Sequence, residues 1–306
     1  MTPIASLNGV SKRYGALTAA ENIDLELRGG ETAALVGHNG AGKTTLIKLI
    51  LGLVSPSSGR VDVLGCDPAS SRGAALRERL GFLPENVAFH GAMTGRELLG
   101  FYARLKRRGG TEVDGLLRRV GLAEAAGRRV STFSKGMRQR LGLAQALIGK
   151  PELLLLDEPT SGLDPASRAD FYRTVDDLRA EGATVLISTH ALAEIESHAD
   201  RIAVLHRGRL VALGGMNELR LAAALPVRLR FTVTPCGTGR LLERLGASVE
   251  IFERSERRLE IGCPAAEKTK MLRRLGDLWQ LIGDVEVKTP GLPEIYSRLV
   301  DREEAR

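Results

Sequence analysis

At 306 residues, with 43% hydrophobic and 26% charged residues, the chain has an ordinary soluble, globular composition and enough length for two domains. No stretch approaches the roughly 20 consecutive apolar residues of a membrane span, and MTPIASLNGVSKRYG lacks the apolar run of a signal peptide, so a cytoplasmic chain is expected. The net charge is +7, and residues 96–140 alone hold 12 Lys/Arg against 4 Asp/Glu, a patch that admits nucleic acid, anionic lipid or an acidic partner surface.

Residues 4–27 alternate as two strands around a turn at Gly15, with Tyr14 as either a core residue or an exposed ring able to stack on a base. Residues 33–36 are a short apolar run of the buried parallel kind, followed by Gly37-His38-Asn39-Gly40-Ala41-Gly42-Lys43-Thr44-Thr45 and an apolar-periodic helix. This is a GxxxxGK[ST] loop in its confirming context, strand before and helix after. Its glycines let successive N–H groups turn inward on a polyphosphate, and the helix adds its positive dipole end. Lys43 is placed to reach the β- and γ-phosphates, and the Thr44 hydroxyl to ligate Mg²⁺. The chain is expected to bind a nucleoside triphosphate.

A turn at residues 55–59 leads to a strand over 60–65, and a short apolar strand stops at Pro84, just before Asn86. Residues 87–149 read as a helical, basic region broken at Gly109-Gly110 and Gly121. Within it Ser134, followed by Lys135-Gly136-Met137, has the character of a helix N-cap. Leu153, Leu154, Leu155 and Leu156 form a strand covered on both faces, and Asp157-Glu158 stand at its C-terminal end, where open α/β sheets bind ligands. Asp164-Pro165 then opens a helix, TVLIST a strand ending before His190, and a hairpin closes this part near residue 215.

A helix over 217–224 connects to residues 225–306, which read β-α-β-β-α-β in ferredoxin-like order, with helices over 239–246 and 265–281 and a last amphipathic helix over 293–304. No chemical motif is visible there, so regulation or dimer contact is expected. Cys66, Cys236 and Cys263 are scattered, as are the histidines, and support neither a disulfide framework nor a metal cluster.

In order and spacing, the GKT loop, LPEN, SKGMRQ, LLLLDEP, SGLD and STH resemble the ATPase subunits of ABC transporters over residues 4–220. The resemblance implies an α/β fold: a P-loop NTPase of ABC type, with a mixed-sheet core, an antiparallel β subdomain and a helical subdomain, in an ATPase domain over 1–220. The domain over 225–306 is then an accessory one. It implies ATP with Mg²⁺ as cofactors, a second ATPase subunit in an ATP-bound homodimer, and an integral membrane partner on the inner face of the membrane. It also makes the basic segment a membrane-subunit surface, with no nucleic acid expected.

The same resemblance assigns roles. Tyr14 stacks on adenine, the loop from Gly37 to Thr45 holds the phosphates, and Asp157 holds Mg²⁺ with Thr44. Glu158 polarises the attacking water and His190 contacts the γ-phosphate. Ser134, Gly136 and Met137 form the signature that caps a partner's γ-phosphate, and Asp164 couples the two sites. The signature departs from LSGGQ but keeps its serine and second glycine. Asn86 stands where the family commonly has a Gln that meets Mg²⁺, one methylene shorter, so a water-mediated contact is implied. GHNGAGKTT, GFLPENV and SKGMRQRLGLAQAL further resemble the ATPase of the nitrous oxide reductase maturation transporter. An exporter ATPase for a drug, lipid or polysaccharide is the alternative. A soluble ABC protein acting on DNA or the ribosome fits poorly, because there is one P-loop and no long coiled coil before Asp157.

Overall fold

The computed structural model describes residues 3–235, 237–245 and 249–305; Cys236, the helix end expected at Gly246, and Ser248 in an expected strand lie outside them. The chain divides into two compact units, Met1–Gly215 and Met216–Arg306.

In the first unit β1 (Ala5–Tyr14) and β2 (Leu17–Leu27) form an antiparallel pair turning at Gly15, whose φ is +58°. β3 (Thr32–Val36), buried at every residue, leads through the glycine-rich loop into α1 (Lys43–Ile50), and β4 (Ser58–Val63) pairs with the free edge of β1. α2 (Gly73–Glu78) and β5 (Leu80–Leu83) precede the helical region, which comprises α3 (Gly95–Leu105), α4 (Val113–Arg119) and α5 (Lys135–Ala146). Thr94 starts α3 with a reciprocal capping box to Glu97, and Gly121, at φ +68°, follows α4 as a left-handed terminator.

The four leucines become β6 (Leu153–Asp157), followed by α6 (Pro165–Ala180), β7 (Thr184–Thr189), the short α7 (Leu192–Ile195), β8 (Arg201–His206) and β9 (Arg209–Gly214). The main sheet runs β5-β6-β7-β3-β8-β9, parallel except for β9. β6 and β7 are buried at every residue, β6 as a leucine run covered on both faces and β7 with Val185, Leu186 and Ile187 between buried hydroxyl residues. Leu46, Ile47, Leu49 and Ile50 of α1 join β1, β2 and β4 and the inner residues of the main sheet in one core. Each such side chain contributes about 1.5–3 kcal/mol by leaving water, so the helix behind the glycine loop is firmly seated.

The second unit runs α8 (Met216–Ala223), β10 (Val227–Val233), α9 (Gly237–Leu245), β11 (Glu250–Arg254), β12 (Arg258–Cys263), α10 (Lys268–Arg274), β13 (Ile282–Lys288) and α11 (Leu292–Glu304). Its sheet has the order β11-β12-β10-β13 with every pair antiparallel. Strict alternation in β10 buries Val227, Leu229, Phe231 and Val233 against Leu241 and Leu245 of α9 and Met271 of α10. The single helix expected over 265–281 is corrected. It is a 3₁₀ turn at Ala265–Glu267, α10, and a second 3₁₀ segment at Gly276–Leu281. Gly276 interrupts the pattern, and glycine is among the poorest helix formers.

Candidate nucleotide site

β6, β7 and β3 are neighbours in the sheet, and their register pairs Asp157 with Ser188 and Thr189 with Val36. The carboxylate pair, the residues before His190 and the entry to the glycine loop are therefore level at the C-terminal edge of one parallel sheet.

The loop closes because two positions tolerate no side chain. A Cβ on Gly37 would lie 2.6 Å from the Leu205 carbonyl, and one on Gly42, at φ +104°, would lie 2.4 Å from the Ala19 carbonyl. Lys43 heads α1 and folds back over the loop, donating to the carbonyls of Gly37 at 2.6 Å and His38 at 3.3 Å. Its Nζ is also 3.1 Å from Glu158 Oε1, an ion pair between two almost wholly buried side chains. The other oxygen, Oε2, lies 2.8 Å from His190 Nδ1 and accepts from the His190 N–H at 3.3 Å. The imidazole is about half exposed, at 54%. Glu158 thus joins a lysine at the loop to a histidine at the end of β7.

Asp157 turns elsewhere. Its Oδ1 accepts from the Thr44 hydroxyl at 3.2 Å and from the Ser188 hydroxyl at 2.5 Å. Successive residues diverge in this way because Glu158 sits at φ +46°, in the left-handed region, at a cost of roughly 1–2 kcal/mol for a residue with a Cβ. Its N–H donates to the Ser188 carbonyl at 3.1 Å and to Ser188 Oγ at 3.0 Å. Ser188, not singled out from the sequence, therefore contacts both acidic residues; its only signal was its place two residues before His190 in STH.

A cavity of about 360 Å³ is lined by Tyr14, Thr18, residues 38–45, Glu85 and Glu158. Tyr14 is 44% exposed, with the Lys12 ammonium 5.0 Å from its ring centroid, so it is not a core residue. A larger cleft, about 1260 Å³, lies between α4 and α6 but holds none of the loop residues, so size does not mark the chemistry. Asn86 is exposed and outside the cavity lining, whereas its neighbour Glu85 is part of it.

The remaining candidates form a second group. Ser134 caps α5 by accepting from the Met137 N–H at 3.2 Å, and both Ser134 and Asp164 are exposed. Asp164 caps α6, accepting from the Ser167 hydroxyl at 2.7 Å and its N–H at 3.0 Å, and these bonds hold its carboxyl below the usual carboxylate range. Gly136 joins the two caps: a Cβ there would stand 3.2 Å from Ser167 Oγ. None of Ser134, Gly136, Met137 and Asp164 lines the cavity.

Thr44 and Asp157 offer hydroxyl and carboxylate oxygens on adjoining elements, a hard donor pair that suits Mg²⁺ shared with phosphate. Among the described residues no group of three or more His, Cys, Asp or Glu is gathered as a self-sufficient metal site.

A family model described as ABC transporter matches residues 20–161. A daunorubicin resistance ATP-binding protein of Streptomyces coeruleorubidus is 36% identical over 96% of this chain and 95% of its own length. The chain belongs to the ABC transporter ATP-binding family. This ABC ATPase is also 33% identical to Nod factor export ATP-binding protein I of Rhizobium johnstonii, over 99% of this chain and 97% of that one. It is 34% identical to a linearmycin resistance ATP-binding protein of Bacillus subtilis, over 87% of each. Among solved structures, an ATP-binding subunit of an ABC transporter covers 72% of this chain and 92% of its own, with a TM-score of 0.65 and 31% identity. The fold is that of an ABC ATPase, a family that binds ATP with Mg²⁺ and hydrolyses it. Among the described residues, no helix of this ABC ATPase is long and apolar enough to cross a membrane.

Proposed function

We propose that this ATPase powers a partner membrane subunit of an exporter and that Glu158 is its general base. The observation that carries the catalytic reading is the Glu158 carboxylate held between Lys43 and His190 at 3.1 and 2.8 Å. Phosphoryl transfer needs positioning and charge neutralisation more than covalent chemistry. Lys43 and the loop N–H groups take the β- and γ-phosphates. Glu158 orients the attacking water, and His190 supports its carboxylate and reaches the γ-phosphate from its exposed side. Tyr14, exposed at the cavity rim, stacks on the adenine. Thr44 and Asp157 would hold Mg²⁺, which neutralises charge on the β- and γ-phosphates. Asn86, exposed and outside the cavity lining, is proposed to reach that shell only through a bridging water while also facing the membrane subunit.

Ser134, Gly136 and Met137 are proposed to cap the γ-phosphate held by a second copy, with Asp164 beside them coupling the two sites. Their separation from the cavity and the exposure of both caps support a role across a dimer. The basic helical segment is the proposed contact with the membrane subunit, at the inner face of the membrane. The unit over residues 216–306 is proposed to regulate or to support dimer contact.

For the transported species, relatives named for daunorubicin resistance, linearmycin resistance and Nod factor export favour a small-molecule exporter. The nitrous oxide reductase maturation reading rests only on the short phrases GHNGAGKTT, GFLPENV and SKGMRQRLGLAQAL and stands behind it. Identification of the membrane protein that co-purifies with the chain tests this. An exporter permease is the expected result; a partner dedicated to reductase maturation overturns it.

A further inference from the structure

Ser188 is wholly buried in β7, directly across from Asp157 in the sheet register. Its hydroxyl acts in two directions: it donates to Asp157 Oδ1 at 2.5 Å and accepts from the Glu158 N–H at 3.0 Å. A serine hydroxyl has one proton to give, and here the proton goes to the carboxylate. The Thr44 hydroxyl converges on the same oxygen at 3.2 Å, so Asp157 Oδ1 is held from two sides, and among the described residues no hydrogen bond to Oδ2 is seen.

We propose that Ser188 is a positioning residue that sends two adjacent carboxylates to different tasks. By holding Oδ1 it fixes the plane of Asp157, leaving Oδ2 for the metal or its bound water. By accepting from the Glu158 N–H it braces the left-handed turn, at φ +46°, that swings the Glu158 carboxylate toward Lys43 and His190. A buried serine on a strand commonly satisfies itself on its own backbone; this one spends its hydroxyl on the two acidic residues of the site. Partners that orient a metal-binding carboxylate are typically worth about ten- to a hundredfold in metal affinity or activity. The inference rests on the roles proposed above for Asp157 and Glu158.

The test uses Ser188→Ala, Ser188→Thr and Ser188→Val in the full chain, with Thr and Val differing in the hydroxyl but hardly in shape. Mn²⁺ is titrated by paramagnetic resonance into protein loaded with a non-hydrolysable ATP analogue, and kcat and KM for ATP are measured on the same preparations. Ser188→Ala is expected to weaken Mn²⁺ binding and lower kcat, each by about tenfold or more, and, because ATP enters as its metal complex, to raise the KM for that complex in step with the weakened metal binding. Ser188→Thr restores all three, and Ser188→Val behaves like Ala. The Thr–Val comparison decides even if the Ala variant does not fold. Normal metal binding and kcat in Ser188→Ala, or equal impairment of Thr and Val, overturns the proposal. Asp157→Asn in the same titration separates the levels. If it leaves Mn²⁺ binding unchanged, the metal role of Asp157 fails; if it weakens binding while Ser188→Ala does not, only the role of Ser188 fails.

Discussion

Lys43 Nζ and Glu158 Oε1 face each other across 3.1 Å, with the two side chains only 7% and 9% exposed. A buried pair is costly to break from one side, because the remaining charge is stranded. Glu158 also has His190 at 2.8 Å, and Lys43 also has two loop carbonyls, so replacing the carboxylate by an amide leaves every partner a polar neighbour.

Glu158→Gln is therefore expected to fold and bind ATP while losing turnover. Removing one group that acts on the transition state costs about a hundred- to a thousandfold in comparable sites. Steady-state turnover and nucleotide retention on one preparation check this, and turnover equal to wild type removes Glu158 from the chemistry.

Gly42→Ala is expected to damage the fold of the loop far more than Gly40→Ala. Both glycines have positive φ, +104° and +82°, but a Cβ on Gly42 meets the Ala19 carbonyl at 2.4 Å and one on Gly40 meets nothing within 4 Å. Strain alone costs roughly 1–2 kcal/mol; a clash with backbone adds a forced shift of β2 or the loop. Melting temperatures without nucleotide measure the difference, and equal losses would show that conformation and not contact decides.

Asn86 is exposed, so Asn86→Ala should leave the melting temperature unchanged. If its amide serves the metal shell or the membrane subunit, turnover in the assembled transporter falls by about tenfold, the worth of a hydrogen bond to a charged group. Asn86→Gln, which extends the reach, should retain activity. Normal coupled turnover in the Ala variant leaves Asn86 as a residue of the turn after Pro84.

The second unit should lose stability in acid through Glu260. This residue is only 5% exposed, and burial by itself would raise its pKa; hydrogen bonds from Arg230 and Arg228 outweigh burial and hold the carboxyl below its ordinary range. Arg230 is shared with Glu286 at 2.9 Å. A depressed folded pKa means the stabilisation is complete above the unfolded value, near 4.3, and is lost as the pH falls through the folded one. Trp279, the only tryptophan, lies in this unit and reports its unfolding. Between about pH 5 and 3 the wild type should lose more stability than Glu260→Gln; parallel profiles would dismiss the pair.

The glycine loop was legible because its spacing acts locally: Gly37, Gly40 and Gly42 mark where backbone must crowd backbone or take positive φ, and composition alone records that. The leucine run likewise announced a strand buried on both faces, with its acids at the ligand-binding end. The break at Gly276 was less legible, since an apolar period continued through it and the choice between α and 3₁₀ turns depends on where β13 must begin.

What the sequence by itself determined is the inventory: a phosphate loop, two adjacent carboxylates, a histidine after a strand, and a membership that several ordered motifs make specific. Only the tertiary structure decided that β3, β6 and β7 are neighbours, and so that Lys43, Glu158 and His190 meet while Ser134 and Asp164 stand apart. It also showed how Asp157 and Glu158, to which the resemblance assigns different roles, come to meet different partners. What parts them is a left-handed turn braced by Ser188, a residue brought level with Asp157 by cross-strand register rather than by any local pattern.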